Sequence, residues 1–530
     1  MSEIMDAWPI PEFTPRPIQE EALNWIQDMY PSTKYFFIQA PVGSGKSLIG
    51  MTASKWMANQ SEHPKSSYIL TPQRILQRQY EREFAPDLVS LYGKSNYTCS
   101  SRNTTCDIGG VLRPPCERCP YRMAKAAARS SNNTVLNYTI ALLAFKYTQI
   151  FKTRPVIILD ECHTAEEHLT EIDAATITSH RAKKYNVGWK QHDHLPDAVE
   201  WTNKVYLPKV DLYLSELEDD LAHIINNEFA EPTDAELRKL KELNKVQEHV
   251  DVIREITLQP MEDINQLFVY CHDKETKKFK RLNGGYNFKR ILEPYGEKFI
   301  FMSSTILNYR GFCRDLSIDP EQSAYIDLSS EFEPKNRPVF FMPQMKMNAQ
   351  WKAPTNVSNR KKMAEKVLEI LEMHKEDSGI IHTGNFAIAR WLVDEIQYAA
   401  PQRIYHHNPE SGDDRNQVID AFQNDPKPSV LISPSITEGL DLKDGLARFA
   451  IIAKVPFGFL GDQWIKKRMN LSKEWYNRRA MIDIIQGAGR VVRSSEDWGN
   501  TYILDESFRY LFMQTQDSVP QWWKDAYRVV

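Results

Sequence analysis

No run of apolar residues approaches the ~18 needed to cross a bilayer as a helix, so no membrane segment is expected. Cysteine is scarce, 7 in 530 residues, which excludes a secreted fold assembled on disulfides. An excess of one charge is also missing. Lys+Arg 66 against Asp+Glu 70 gives a formal net charge of -4, excluding a chain coated in positive charge such as a DNA packager. That balance leaves room for a local basic channel. Gly 21 and Pro 30 are too few for a collagen-like or low-complexity chain. The opening stretch MSEIMDAWPIPEF carries acids and no base before Arg16, unlike a secretory signal. The expected setting is therefore cytoplasmic, not secreted.

What is present is ordinary globular composition, 42% hydrophobic and 26% charged, in a length that suits three or four folding units. Short apolar runs recur: YFFIQA at 35–40, SYILTP at 67–72, RPVIILDE at 154–161 and KFIFMSST at 298–305. Each has the length of a buried parallel strand and ends in small or acidic residues, where such strands present a site. A second set begins later, with SGIIHTG at 378–384, SVLISPS at 429–435, RFAIIAKVPF at 448–457 and TYILDE at 501–506. Helix-length segments separate the runs. The pattern predicts an α/β class, two such domains in tandem, meeting across polar, proline-marked residues 328–345.

Two stretches break the alternation. Residues 171–285 read as helices without intervening strands, with Leu212, Leu217, Leu221, Ile224 and Ile225 on one face. Thr233 and Glu236 there form a capping-box pattern, followed by Leu237, Leu240, Val250 and Ile253. The other stretch, 91–130, holds Cys99, Cys106, Cys116 and Cys119 spaced C-x6-C-x9-C-x2-C, while Cys162, Cys271 and Cys313 stand apart. Four thiolates so placed can hold a [4Fe–4S] cluster or a structural zinc, and spacing alone does not separate the two. Arg102, Arg113, Arg118, Arg122, Lys125 and Arg129 face only Asp107 and Glu117 there, and Tyr97 and Tyr121 bracket the cysteines. Cations for phosphates and aromatics for bases suit a single-stranded nucleic acid.

The strongest chemical motif is Ala40-Pro41-Val42-Gly43-Ser44-Gly45-Lys46-Ser47, which departs from G-x-x-x-x-G-K-[ST] only at Ala40. Gly43, Ser44 and Gly45 turn backbone N–H groups toward phosphate oxygens, Lys46 reaches the β- and γ-phosphates, and the Ser47 hydroxyl ligates Mg²⁺. Asp160 and Glu161 close the strand PVIIL: the first can hold Mg²⁺ through its water shell, the second can orient and deprotonate water. Nucleoside triphosphate hydrolysis is the implied chemistry. Gln486, Gly489, Arg490 and Arg493 form Q-x-x-G-R-x-x-R, whose arginines share a helical face and can reach one γ-phosphate when the two α/β domains close.

These motifs together resemble the superfamily-two DNA helicases, most closely the XPD/DinG branch of iron–sulfur helicases. RPIQ (Arg16 to Gln19) resembles the adenine-reading element, TPQRILQRQY (71–80) motif Ia, MSSTI (302–306) motif III and HTGNF (382–386) motif IV. SITEGLDL (435–442) with KVPF (454–457) resembles motif V, and QGAGRVVRSSEDWG with LDESF (504–508) the motif VI region. Cys162 stands where Ala is usual, and Ser304 replaces Ala in motif III. Neither change removes a group that catalysis needs.

The resemblance implies tandem RecA-like P-loop NTPase domains with an iron–sulfur insertion and a helical, arch-like one. The expected division is 1–90 plus 131–170 plus 286–328 for the first motor domain and 91–130 for the metal domain. Residues 171–285 would then be the arch and 329–530 the second motor domain. It implies ATP contacted by Gln19, Lys46, Ser47 and Asp160, and coupling to the second domain through Gly439 and Asp441. It favours a [4Fe–4S] cluster over zinc on Cys99, Cys106, Cys116 and Cys119. The implied activity is ATP-dependent, 5′→3′ unwinding of single-stranded and forked DNA by a monomer. A DNA-stimulated translocase that remodels protein–DNA complexes, a P-loop ATPase switch or scaffold, and an RNA substrate stand as alternatives.

Overall fold

The computed structural model describes the chain except residues 1–2, 64, 102–103, 110–115, 117, 149, 228–231, 408–413, 435–444, 490 and 493–496. Strands in chain order are β1 (Tyr35–Gln39), β2 (Ser67–Thr71), β3 (Leu88–Ser90), β4 (Asn133–Asn137), β5 (Arg154–Asp160) and β6 (Ala175–Thr178). They continue with β7 (Phe268–His272), β8 (Thr276–Arg281), β9 (Gly296–Ser303), β10 (Ser323–Asp327), β11 (Val339–Met345) and β12 (Gly379–His382). The last are β13 (Arg403–His406), β14 (Ser429–Ser433), β15 (Phe449–Ile452), β16 (Asn500–Asp505) and β17 (Tyr527–Val529).

Two seven-stranded parallel sheets result, ordered β10-β1-β9-β5-β2-β4-β3 and β13-β14-β12-β15-β16-β11-β17. The first is the core of one lobe and the second of the other. β5 is buried along its whole length, and Val156, Ile157, Ile158 and Leu159 are 0% exposed. Each such side chain contributes about 1.5–3 kcal/mol of burial, so the strand that carries Asp160 is held hard in place. Helices cover both sheet faces, as parallel strands buried on two sides require. Among the described residues, no helix is long and apolar enough to cross a membrane.

The fold class is the one the apolar runs predict; several details differ. β3, β4 and β10 widen the first sheet beyond the four runs, because NTVLN and SAYID carry too much polarity to stand out. β11 occupies 339–345, so the crossing between lobes shortens to the stretch between Leu328, packed in the first core, and Val339.

The inserted segment also departs from expectation. Its helices Leu195–Trp201, Leu207–Ile225, Asp234–Thr257 and Met261–Leu267 rise from a three-stranded antiparallel sheet, β6-β8-β7, where helices alone were expected. On Leu207–Ile225 the buried face is Leu207, Val210, Leu214, Leu217, Leu221 and Ile224, while Leu212 is 54% exposed. Five residues separate Leu212 from Leu217, which is about 140° around a helix; Leu214 fills the face instead. The Thr233–Glu236 capping box does form.

Two buried ionic arrangements tie these parts together. Arg154 donates to the carbonyls of Ser67, Asn132, Ala128 and Ser131, joining β5 to β2 and to the end of the helix Pro120–Ser130. Asp173, at the root of the insertion, pairs with Lys146 and, at 2.7 Å, with Arg281. All three side chains are 1–2% exposed, and Glu255 of the insertion also reaches Lys146.

Candidate nucleotide site and cysteine cluster

β1, β5 and β9 end side by side, and the loops leaving them converge. After β1 the chain turns through Gly43 (φ 80°) and Gly45 (φ 77°) into the helix Lys46–Asn59. Left-handed backbone at both points is what lets consecutive N–H groups face one concavity above a helix N-terminus. Lys46 Nζ donates to the Ala40 and Pro41 carbonyls at 3.3 and 3.5 Å, so the lysine curls over its own loop. Ser44 Oγ is buried and finds no protein partner among the described residues, which suits an acceptor such as a phosphate oxygen. Ser47 follows in the first turn, half-buried.

Gln19 is 2% exposed with its amide already engaged. Nε2 donates to the Ser44 carbonyl at 3.1 Å, and Oε1 accepts from the Arg16 N–H at 2.9 Å. Arg16 in turn donates to the Gly43 carbonyl at 2.7 Å and pairs with Glu331 at 2.7 Å. In this state the pair braces the phosphate loop.

At the end of β5, Asp160 is 7% exposed; Oδ1 accepts from the Glu161 N–H at 3.0 Å and Oδ2 from Tyr80 OH at 3.2 Å. Burial pushes its carboxyl up to about 7, Glu161 adds to the rise, and Lys46 opposes it. A buried carboxylate of this kind is one that a divalent cation could ligate, adding to the opposing charge of Lys46. Glu161 takes left-handed backbone, φ 48°. Its carboxylate accepts from Ser303 Oγ at 3.4 Å and lies 3.4 Å from His163 Nδ1, which is itself 2.9 Å from Ser303 Oγ.

Three further residues belong here that the motif reading passed over. His163 links the β5 loop to the end of β9 through Ser303. Tyr80 holds Asp160. Gln39 accepts from the Ile306 and Leu307 N–H groups at 2.6 and 2.7 Å and donates to Asp327 at 2.9 Å, fixing the loop after β9. The sequence signal for His163 was its place directly after Asp160, Glu161 and Cys162; for Gln39 it was only its position at a strand end.

The second lobe reaches this site through the helix Lys473–Ala488. Gln486 Nε2 donates to Ser304 Oγ at 3.0 Å and to Thr305 Oγ1 at 2.8 Å, so the two lobes touch beside the phosphate loop. Val42 of that loop approaches Gly489. Arg490, Arg493, Gly439 and Asp441 lie outside the described residues, as do Arg102 and Arg113 of the cysteine segment.

The cysteines collect. Cys99, Cys106 and Cys116 are buried and Cys119 half-buried, with Cys119 Sγ 3.9 Å from Cys106 Sγ. Burial pushes the Cys106 and Cys116 thiols up. It would raise Cys119 too, but the Arg122 N–H and the neighbouring thiols outweigh it and lower that group. Four thiols without a carboxylate among them are a soft donor set, suited to iron–sulfur or zinc. Among the described residues, however, no three His, Cys, Asp or Glu side chains are arranged to hold a metal ion. Tyr97 and Tyr121 meet edge to face at 5.6 Å, with Lys94 and Lys125 each 5.9 Å from the Tyr121 ring. Asn244 of the insertion donates to the Asp107 carbonyl at 3.2 Å, and Ile108 packs in the insertion's core.

Comparison with known proteins agrees with this architecture. Residues 361–526 match the family model of a helicase C-terminal domain, and 12–188 that of the type III restriction enzyme res subunit. The ATP-dependent DNA helicase DinG of Photobacterium profundum is 23% identical over 244 residues, 42% of this chain and 34% of that protein. The ATP-dependent DNA helicase CHL1 of Eremothecium gossypii is 24% identical over 163 residues, 26% of this chain and 20% of that protein. The matched stretches thus span about a third and a fifth of these curated relatives. A solved XPD helicase superimposes with a TM-score of 0.62 at 15% identity, covering 97% of this chain and 99% of that one. Xpd4 of S. tokodaii does so with 0.56 at 13%, covering 97% and 100%.

Proposed function

We propose that this chain is a superfamily-two helicase of the XPD/DinG type, which its matches resemble, and that it couples ATP hydrolysis to movement along single-stranded DNA and to opening of forked duplex. The observation that carries this reading is the Gln486 bridge to Ser304 and Thr305, which joins the second lobe to the first beside the phosphate loop. A site built across two lobes is one whose occupancy can change the distance between them.

Lys46 takes the β- and γ-phosphates, and the Ser44 hydroxyl donates to a phosphate oxygen. Ser47 and Asp160 would hold Mg²⁺, which would supply positive charge to the phosphates. Glu161 accepts a proton from the attacking water as its oxygen bonds to the γ-phosphorus and the bond to the ADP oxygen breaks. Arg490 and Arg493 face the charge on the transferred phosphoryl group, as fingers from the second lobe. Gly439 and Asp441 pass the nucleotide state to that lobe. Cys99, Cys106, Cys116 and Cys119 would hold a [4Fe–4S] cluster once their thiols draw together around it, and movement would run 5′→3′.

The test is unwinding of 5′-tailed, 3′-tailed and forked DNA by anaerobically prepared protein, with Lys46→Ala as the inactive control. Product from 5′-tailed and forked substrates alone is expected. DNA-stimulated ATP turnover without product would make the chain a translocase, and turnover indifferent to DNA would overturn the motor reading. The same preparation is expected to contain iron and acid-labile sulfide in near-equal amounts and to lose both in Cys106→Ser. Stoichiometric zinc in a colourless, active protein would reassign the cysteines.

A further inference from the structure

The helix Gln463–Leu471 of the second lobe lies where three parts of the chain meet. Gln463 pairs with the backbone of His272, the last residue of β7. The His272 N–H donates to Oε1 at 2.9 Å, and Nε2 donates to the His272 carbonyl at 3.1 Å. β7 is an edge of the inserted sheet, so this one side-chain amide pairs with it as another strand's peptide group would. Trp464, 4% exposed, donates Nε1 to the Arg281 carbonyl at the end of β8 at 2.7 Å and packs against Val269 and Trp475.

One turn on from Trp464, and 5.8 Å from its ring, Arg468 of the same helix meets the first lobe. Arg468 pairs with Glu166 and, at 2.8 Å, with Asp315. Glu166 sits in the helix Ala165–Glu171, immediately after the loop of Asp160 and Glu161, and also accepts from Trp475 Nε1 at 2.8 Å. Arg478 adds a second cation on Asp315. The following helix, Lys473–Ala488, then runs to Gln486 at Ser304 and Thr305. One helical hairpin therefore touches the nucleotide site at its end and the inserted sheet at its start.

The inserted sheet is held differently on its two sides. Toward the first lobe it is fixed by charges: Arg281 on Asp173, and Lys278 and Lys280 on Glu171. Breaking the buried pair strands a charge in a low-dielectric interior, so that side is stiff. Toward the second lobe it is held by three directional hydrogen bonds, from the Gln463 amide and the Trp464 indole, and by Lys280 Nζ 4.3 Å from the Trp464 ring.

We propose that Gln463 and Trp464 are positioning residues that transmit rotation of the second lobe to the edge of the inserted sheet. They thereby tilt the inserted helices over the first lobe each time nucleotide draws the lobes together. The inference rests on the reading of this chain as a nucleotide-driven motor, but concerns a contact outside the nucleotide site.

The test uses the full chain with fluorophores at exposed Asp28 of the first lobe and Lys241 of the inserted helices, introduced as unnatural amino acids so that the cysteines stay untouched. A non-hydrolysable ATP analogue is expected to change energy transfer in the parent and to leave it flat in Gln463→Met/Trp464→Phe. These changes delete three hydrogen bonds while retaining side-chain bulk. In the same double variant, DNA-stimulated ATP turnover is expected to persist while base pairs opened per ATP fall about tenfold, the size of an ordinary coupling between sites. An equal nucleotide-driven change in parent and variant, or none in the parent, overturns the proposal. A parent that opens no fork removes the helicase reading, while the distance measurement still decides the coupling. If the double variant melts early, Gln463→Met alone carries the comparison.

Discussion

A Glu161→Gln protein is expected to bind ATP as the parent does and to hydrolyse it roughly 10²–10⁴-fold more slowly, the loss typical of removing a general base. The two adjacent carboxylates are unequal. Asp160 is buried and accepts from Tyr80 and from the Glu161 N–H, with Lys46 as the cation opposing its burial. Glu161 is turned out of the strand by left-handed backbone, and its side-chain contacts to Ser303 and His163 are long, 3.4 Å each. It is the carboxylate available to a water. Gln keeps the size and can still accept from Ser303, so the loss reports proton acceptance and not collapse of the loop. Single-turnover phosphate release beside fluorescent-ATP binding measures it. Unchanged turnover would move the base elsewhere, and lost binding would make Glu161 part of the phosphate cradle.

Asp173→Ala is expected to destabilise the protein by about 3–5 kcal/mol, as removal of one partner from a buried ionic group does. The substitution leaves Arg281 and part of the charge on Lys146 inside a region where those side chains are 1–2% exposed. Acid should show the same dependence in the parent. Burial would raise the Asp173 carboxyl, but Lys146 and then Arg281 outweigh it and hold the group below its ordinary value. A carboxyl lowered by folding stabilises fully above its unfolded pKa of about 3.9. That contribution disappears as pH falls through the depressed folded value. The thermal midpoint of the parent is therefore expected to drop more steeply below about pH 4 than that of Asp173→Ala. Parallel curves would mean that Asp173 contributes packing without charge.

The parts legible in the sequence were those where one local pattern does one job. β1 and the phosphate loop show as an apolar run followed by two glycines and a lysine, and both glycines take the left-handed backbone that the loop requires. β8 is the opposite case. TKKFKR looks like a solvated charged stretch, yet Lys277 and Arg281 are 1% exposed. The Lys277 ammonium lies 3.4 Å from the Trp189 ring centroid and 4.5 Å from that of Trp201, and Arg281 is held by Asp173. Hydrophobic periodicity cannot report a strand whose inward side chains include cations satisfied from more than 70 residues away. Gln19 teaches a related point. Family resemblance supplies its identity as a nucleotide-site residue, but only geometry shows its amide spent on Ser44 and Arg16. Gln486 was legible as a motif position; its partners Ser304 and Thr305 were not.

The Arg154 guanidinium has a mechanical consequence. The cysteine segment leaves its cluster through the helix Pro120–Ser130, and the carbonyls of Ala128, Ser131 and Asn132 at the helix end all converge on that one side chain. A tug on the cysteine segment therefore does not peel β4 from β2 one bond at a time. It is resisted in shear, by several hydrogen bonds strained together, at β5, the central strand that carries Asp160. Tension at the cysteine segment is thus delivered to the strand whose end positions the carboxylates.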